Sequence, residues 1–202
     1  MKRMLTAFAA LAVIAAPASA APVVGQPAPN FKAADVNGKP VTLSDYRGKT
    51  VVLEWHNPGC PFVKKHYDSG NMQKAQAAAA RDGVVWLTIN SGAPGKQGHM
   101  SGSEAKALVA KAGARPTAYL LDPRGVVGKA YDAKTTPHMF VVNKAGTLVY
   151  AGGIDDKPTP NPADVTSARN HVLAALSDLK AGKPVSVTTS RPYGCSVKYS
   201  DS

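Results

Sequence analysis

The sequence predicts an α/β domain built on a mixed central sheet flanked by helices, and three observations carry that prediction. Thr50–Trp55 (TVVLEW) and Val84–Ile89 (VVWLTI) are continuous β-branched and aromatic runs, the pattern of strands buried on both faces. Met72–Asp82 (MQKAQAAAARD), between them, is rich in strong helix formers and stops at Gly83, so a helical crossover joins two parallel strands. Pro137–Asn143 and Gly146–Gly152, joined through Lys144-Ala145, form a late hairpin that adds antiparallel strands at one side.

In chain order, residues 1–20 read as an export signal. Lys2 and Arg3 give a positive start, Leu5–Ala16 is apolar, and Pro17 with Ala18-Ser19-Ala20 supplies a cleavage site. A spanning helix needs about 20 apolar residues; this run stops short and ends in small residues. Cleavage after Ala20 is therefore expected, leaving a periplasmic or secreted chain with no stable membrane insertion.

The 202-residue length then leaves one domain, residues 21–182, and a tail, residues 183–202. The domain opens on two short strands around Asn37-Gly38, a hairpin dipeptide. After Thr50–Trp55, Asn57-Pro58-Gly59 breaks the strand and Cys60-Pro61 starts a helix, since proline at a first helical position loses no hydrogen bond. Ser69-Gly70-Asn71 interrupts that helix before Met72–Asp82. Asn90–Ser103 is a glycine-rich loop, 104–113 a short helix, and Thr117–Asp122 a strand closed by a turn at Pro123-Arg124-Gly125. Ala163–Ala181 reads as the last helix: Val165, Ala168, Val172, Leu176 and Leu179 share a face, Pro162 precedes it, and Gly182 and Pro184 end it.

The net charge is +11, but the cations are spread along the chain and the densest cluster is only Lys64-Lys65. With no basic-aromatic motif or finger spacing, nucleic acid is not an expected partner. Nor does any pattern call for a cofactor or a metal: His56, His66, His99 and His138 lack the close cysteine pair that would suit a soft ion. Asp155-Asp156-Lys157 reads as a turn.

Two cysteines, Cys60 and Cys195, are an even count for an oxidising compartment and allow one bridge. A cysteine at a helix mouth gains from the exposed N–H groups and the positive end of the macrodipole. With Lys64 and Lys65 one turn on, its thiol can fall from about 8.5 toward roughly 3.5–7.5. Cys60 is thus a candidate nucleophile.

The strand-Cys-Pro-helix junction, the entry segment Gly25–Trp55 and the segment Lys134–Asp156 together resemble the thioredoxin-like superfamily. Within it they are most similar to the redoxin branch of alkyl hydroperoxide reductase/thiol-specific antioxidant and peroxiredoxin-like proteins. The resemblance implies a thioredoxin-like fold with an N-terminal β-hairpin and a C-terminal helix-plus-tail extension. It further implies that Thr136-Pro137 carries a cis proline beside Cys60, shaping a groove for an extended substrate. Trp55, Asn57, Pro61, Thr136 and His138 are the expected groove residues, and Glu54 a possible proton relay to the thiol.

The departures from the family patterns matter. Dithiol thioredoxins carry Cys-x-x-Cys, and here the second position is Val63. Peroxiredoxins carry Pro-x-x-x-Thr/Ser-x-x-Cys, and with Cys60 as the cysteine those places hold Leu53 and Asn57. The arginine such enzymes place three residues before Phe140 is Pro137. Without these donors the peroxide O–O bond goes unpolarised.

Cys195 offers the missing second thiol if the tail folds back, with Pro192 and Gly194 allowing the bend. A bridge between Cys60 and Cys195 would equally serve as a staple, worth about 4–5 kcal/mol in the loop-entropy model. Three readings stay open: a thiol–disulfide redox protein acting on a protein or small-molecule disulfide or thiol, a non-catalytic scaffold locked by a bridge, and a peroxiredoxin-like peroxidase. The oligomeric state is not encoded in any of these patterns.

Overall fold

The computed structural model describes residues 21–200, so the signal-like residues 1–20 lie outside the described residues. A seven-stranded sheet has the order β2-β1-β5-β4-β3-β7-β8. Its strands are β1 (Lys32–Asp35), β2 (Pro40–Thr42), β3 (Val51–Trp55), β4 (Val85–Asn90), β5 (Ala118–Leu121), β7 (His138–Val142) and β8 (Leu148–Gly152). The helices are α1 (Pro61–Asp68), α2 (Asn71–Arg81), α3 (Gly102–Lys111), α4 (Val126–Ala130) and α5 (His171–Lys180). A second, two-stranded ribbon pairs β6 (Thr135–Thr136) with β9 (Cys195–Ser196).

β3, β4 and β5 are parallel, joined through α1–α2 and α3, and β7 and β8 run antiparallel beyond β3. The N-terminal hairpin adds to the other edge, β1 antiparallel to β5, with Gly38 at φ +79° in its turn. β3 is the central strand, and all five of its residues are buried. Side chains alternate across it: Val51, Leu53 and Trp55 enter one core with Leu87, Ile89, Tyr131 and Phe140. Val52 enters the other with Trp86, Val141, Met72 and Ala79, closed by Val172 and Leu176 of α5. Burying a side chain of this size contributes roughly 1.5–3 kcal/mol.

Three elements differ from the sequence expectation. The helix expected over Ala163–Ala181 is a 3-10 turn, Pro162–Thr166, followed by α5, which begins only at His171. The Asn170 side chain accepts from the Leu173 N–H and caps α5, so Val165 and Ala168 lie before it. α4 was not foreseen, because its five residues are too few for a periodic signal. The late hairpin is shorter than expected, with β8 starting at Leu148 after Gly146 takes φ +78°.

The tail does not hang free. Val185 and Val187 pack on the α2–α5 core, Thr189 bridges Ala151, and Ser190 donates or accepts at the Tyr150 hydroxyl at 2.7 Å. It then crosses the C-terminal end of β3, where Cys60 sits.

Candidate active site

Cys60 is the N-cap of α1, with Pro61 at its first position. The Thr136–Pro137 peptide is cis, and the Cys60 thiol donates to the Thr136 carbonyl at 3.0 Å. β9 pairs Cys195 against Thr136, which sets the Cys195 sulfur 2.7 Å from that of Cys60. Both cysteines are free thiols.

Gly194 lets the tail come this close. Its φ is +126°, and a Cβ there would lie on the Thr136 carbonyl, 2.8 Å from its carbon. The tail is fastened on both sides of Cys195. On one side Tyr193 is buried: its ring meets Phe62 at 5.9 Å, and its hydroxyl donates to Asp155 Oδ1 and meets His66 Nε2 at 3.2 Å. Lys65, also buried, reaches Asp155 at 3.5 Å and donates to the Lys157 carbonyl at 2.6 Å. On the other side the Tyr199 hydroxyl donates to the Ala133 carbonyl at 2.8 Å, while the Ala93 N–H donates to the Lys198 carbonyl at 2.8 Å.

These contacts correct several sequence readings. Cys60 is wholly buried, with the Cys195 sulfur of the docked tail against it. Lys65 and His66 serve the Tyr193 anchor, and Asp155, read from the sequence as part of a turn, is a buried partner of both. Trp55 does not wall a groove: its strand position turns it into the core against Tyr131 and Phe140, and its Nε1 donates to Ser91 at 3.1 Å. Asn57 is occupied, accepting from the Gly59 N–H at 2.9 Å and donating to Gln97 of the 90–103 loop at 2.9 Å. Thr136, Pro137 and His138 are buried, and of the expected groove residues only Pro61 is exposed. His138 Nδ1 accepts from the Lys134 N–H at 3.3 Å. Burial depresses His138 to about 4 and His56 to about 3, so both are neutral at physiological pH.

The two thiols are pushed apart. Burial raises Cys60, but hydrogen bonds to its ionised form from Cys195, the Thr136 side chain and the backbone of Cys195 and Val63 outweigh it, and it lies below the ordinary 9.0. Cys195 is pushed up to about 11, by burial, by donating to Cys60 and by the charge of that sulfur. The shifts are opposite in sign, so Cys60 is the more acidic thiol of the pair and Cys195 the less acidic.

Glu54 is fully buried on the α2 side of β3. It accepts from Trp86 Nε1 at 2.7 Å, Tyr67 at 2.7 Å, Thr88 at 3.0 Å and Gln76 at 3.5 Å. Burial raises its pKa against these donors. Among the described residues no hydrogen bond joins it to Cys60. Sequence reasoning missed this network and the Tyr193–Asp155–Lys65–His66 anchor, whose members are far apart in the chain. The adjacency of Tyr193, Gly194 and Cys195 was the one local signal for the anchor.

A βαβ core with a cysteine capping its first helix and a cis proline facing it defines a thioredoxin-like protein. The chain belongs to the AhpC/TSA family, whose model matches residues 24–151, a stretch that holds Cys60 and Pro137 and stops well before Cys195. It is 30% identical to the thiol-disulfide oxidoreductase ResA of Bacillus subtilis (strain 168) over 128 residues, 62% of this chain and 64% of that protein's length. Among solved structures, an uncharacterized conserved protein from Geobacillus kaustophilus matches with TM-score 0.76 and 30% identity, covering 89% of this chain and 94% of the other. A hypothetical protein from Sinorhizobium meliloti 1021 matches with TM-score 0.76 and 25% identity, over 91% and 98% of the two chains. A thiol:disulfide interchange protein DsbE described from Chlorobium tepidum shares the fold at 23% identity and TM-score 0.54, over 65% and 85%.

Proposed function

We propose that the protein is an exported thiol–disulfide redox protein whose working pair is Cys60 and Cys195. Cys60 is the nucleophilic thiolate and Cys195 the sulfur that closes a bridge with it. The observation that carries this is the 2.7 Å approach of the two sulfurs, set by pairing of β9 with β6. Closing the bridge passes two electrons and two protons to a substrate disulfide, which leaves as two thiols; opening it reverses the exchange. The likeness to a thiol-disulfide oxidoreductase supports the reading. Export rests on the signal-like residues 2–20 and is compatible with the absence, among the described residues, of a helix long and apolar enough to cross a membrane.

A second reading, a scaffold locked by a structural bridge, is favoured by the anchoring at Tyr193 and Tyr199 on either side of Cys195. Equilibration of the protein in thiol redox buffers, with alkylation and peptide mapping, separates the two. A Cys60–Cys195 bridge with a potential between about −120 and −270 mV falls among exchange catalysts. A bridge that resists reduction below about −300 mV is a staple and overturns the proposal. Hydrogen peroxide consumption far faster than that of free cysteine would revive the peroxidase reading.

A further inference from the structure

We infer that substrate sulfur enters at Cys195, and that Cys60 exchanges only with Cys195. The inference rests on the redox pair proposed above and assigns the order of events within it. In thiol exchange the attacked sulfur must be reachable along the S–S axis, and the departing sulfur should be the more stable thiolate. Cys60 has no exposed surface, lying beneath β9 and against Thr136. Cys195 is partly exposed, on a ribbon whose next residue, Ser196, is open to solvent. Beside the pair lies a cleft of 590 Å³ that reaches Thr135 and Gly194, the residues preceding Thr136 and Cys195, and is walled by Phe62, Pro158, Arg191 and Pro192. This gives an incoming chain a surface next to the tail sulfur, whereas a route to Cys60 requires the tail to lift.

With the bridge closed, an external thiolate attacks the Cys195 sulfur. A new S–S bond forms between substrate and Cys195, the Cys60–Cys195 bond breaks, and its electron pair leaves on Cys60, where the end of α1 and the Val63 N–H receive the charge. A second substrate thiolate then attacks the substrate sulfur of the mixed disulfide. Substrate disulfide departs, and Cys195 leaves as thiolate and takes a proton. In the reducing direction the same steps run backwards: Cys195, having lost its proton, attacks the substrate disulfide and releases one substrate thiolate, and the Cys60 thiolate then attacks the Cys195 sulfur of the mixed disulfide, closing the bridge and releasing the second.

The test is a trapping experiment. Protein oxidised with glutathione disulfide is mixed with excess reduced glutathione, quenched in acid, alkylated and peptide-mapped. The expected adduct is glutathione on Cys195 with Cys60 alkylated, at least about tenfold over the reverse. A majority of adduct on Cys60 overturns the assignment while leaving the redox pair intact. Absence of both bridge and adduct overturns the pair and this assignment with it.

Single-cysteine variants give an independent reading. In C195S, Cys60 should react slowly with glutathione disulfide and several-fold faster once Y193A loosens the tail. Equal rates in C195S with and without Y193A would show that the tail does not shield Cys60, and would overturn the assignment.

Discussion

Replacing Gly194 by alanine tests whether the docked tail makes the redox pair. The new Cβ would fall on the Thr136 carbonyl, 2.8 Å from its carbon, at a backbone φ of +126°. The obstacle is backbone on both sides, so no side chain can rotate away to relieve it. A non-glycine residue at such a φ costs on the order of 1–3 kcal/mol, and relief comes most simply by undocking β9 from β6. β6 and β9 lie outside the seven-stranded sheet, so far-UV circular dichroism should stay close to native.

If about 2 kcal/mol of docking energy is lost, the Cys60–Cys195 bridge should become easier to reduce by about 40 mV, since 30 mV corresponds to about 1.4 kcal/mol for a two-electron couple. Alkylation of Cys60 in the reduced protein should accelerate in parallel. The assay is a redox-buffer titration with a maleimide rate measurement on the same samples. An unchanged potential together with an unchanged Cys60 rate would refute the claim that the tail must sit against Thr136.

Two further outcomes follow from the electrostatics. Cys195→Ala removes the thiol that donates to the Cys60 thiolate, so Cys60 should titrate higher than in the parent, read from the ultraviolet thiolate absorbance against pH; an equal or lower midpoint would show that Cys195 does not hold that charge. Glu54 has its folded pKa raised above the ordinary 4.5 by burial, so the folded state holds its proton more tightly than the unfolded chain. Its contribution to stability is then greatest below 4.5 and declines as pH rises toward the folded pKa. E54Q, neutral at every pH, should flatten that decline in urea unfolding followed across pH, and a slope unchanged from the parent would contradict the assignment.

Much of this protein was legible in the sequence. The buried runs of β3 and β4 and the alanine-rich α2 specify a parallel crossover, because hydrophobic period and helix propensity are local quantities. Asn37-Gly38 and Cys60-Pro61 mark a hairpin and a helix start for equally local reasons. The last helix is shorter than its apolar spacing implies, since that spacing continues through Val165 and Ala168 while the Asn170 cap, a hydrogen bond, sets where α5 begins.

What the sequence determined by itself, then, is the α/β framework and the cysteine at the mouth of α1: each follows from residues adjacent in the chain. Only the tertiary structure decided that Cys195 meets Cys60, that Cys60 is covered, and that Lys65, His66 and Asp155 anchor the tail through Tyr193. The physical reason is range. A contact between residues 60 and 195 depends on a pairing of two-residue strands, a glycine that admits a carbonyl, and a buried tyrosine, and none of these leaves a periodic trace in the sequence.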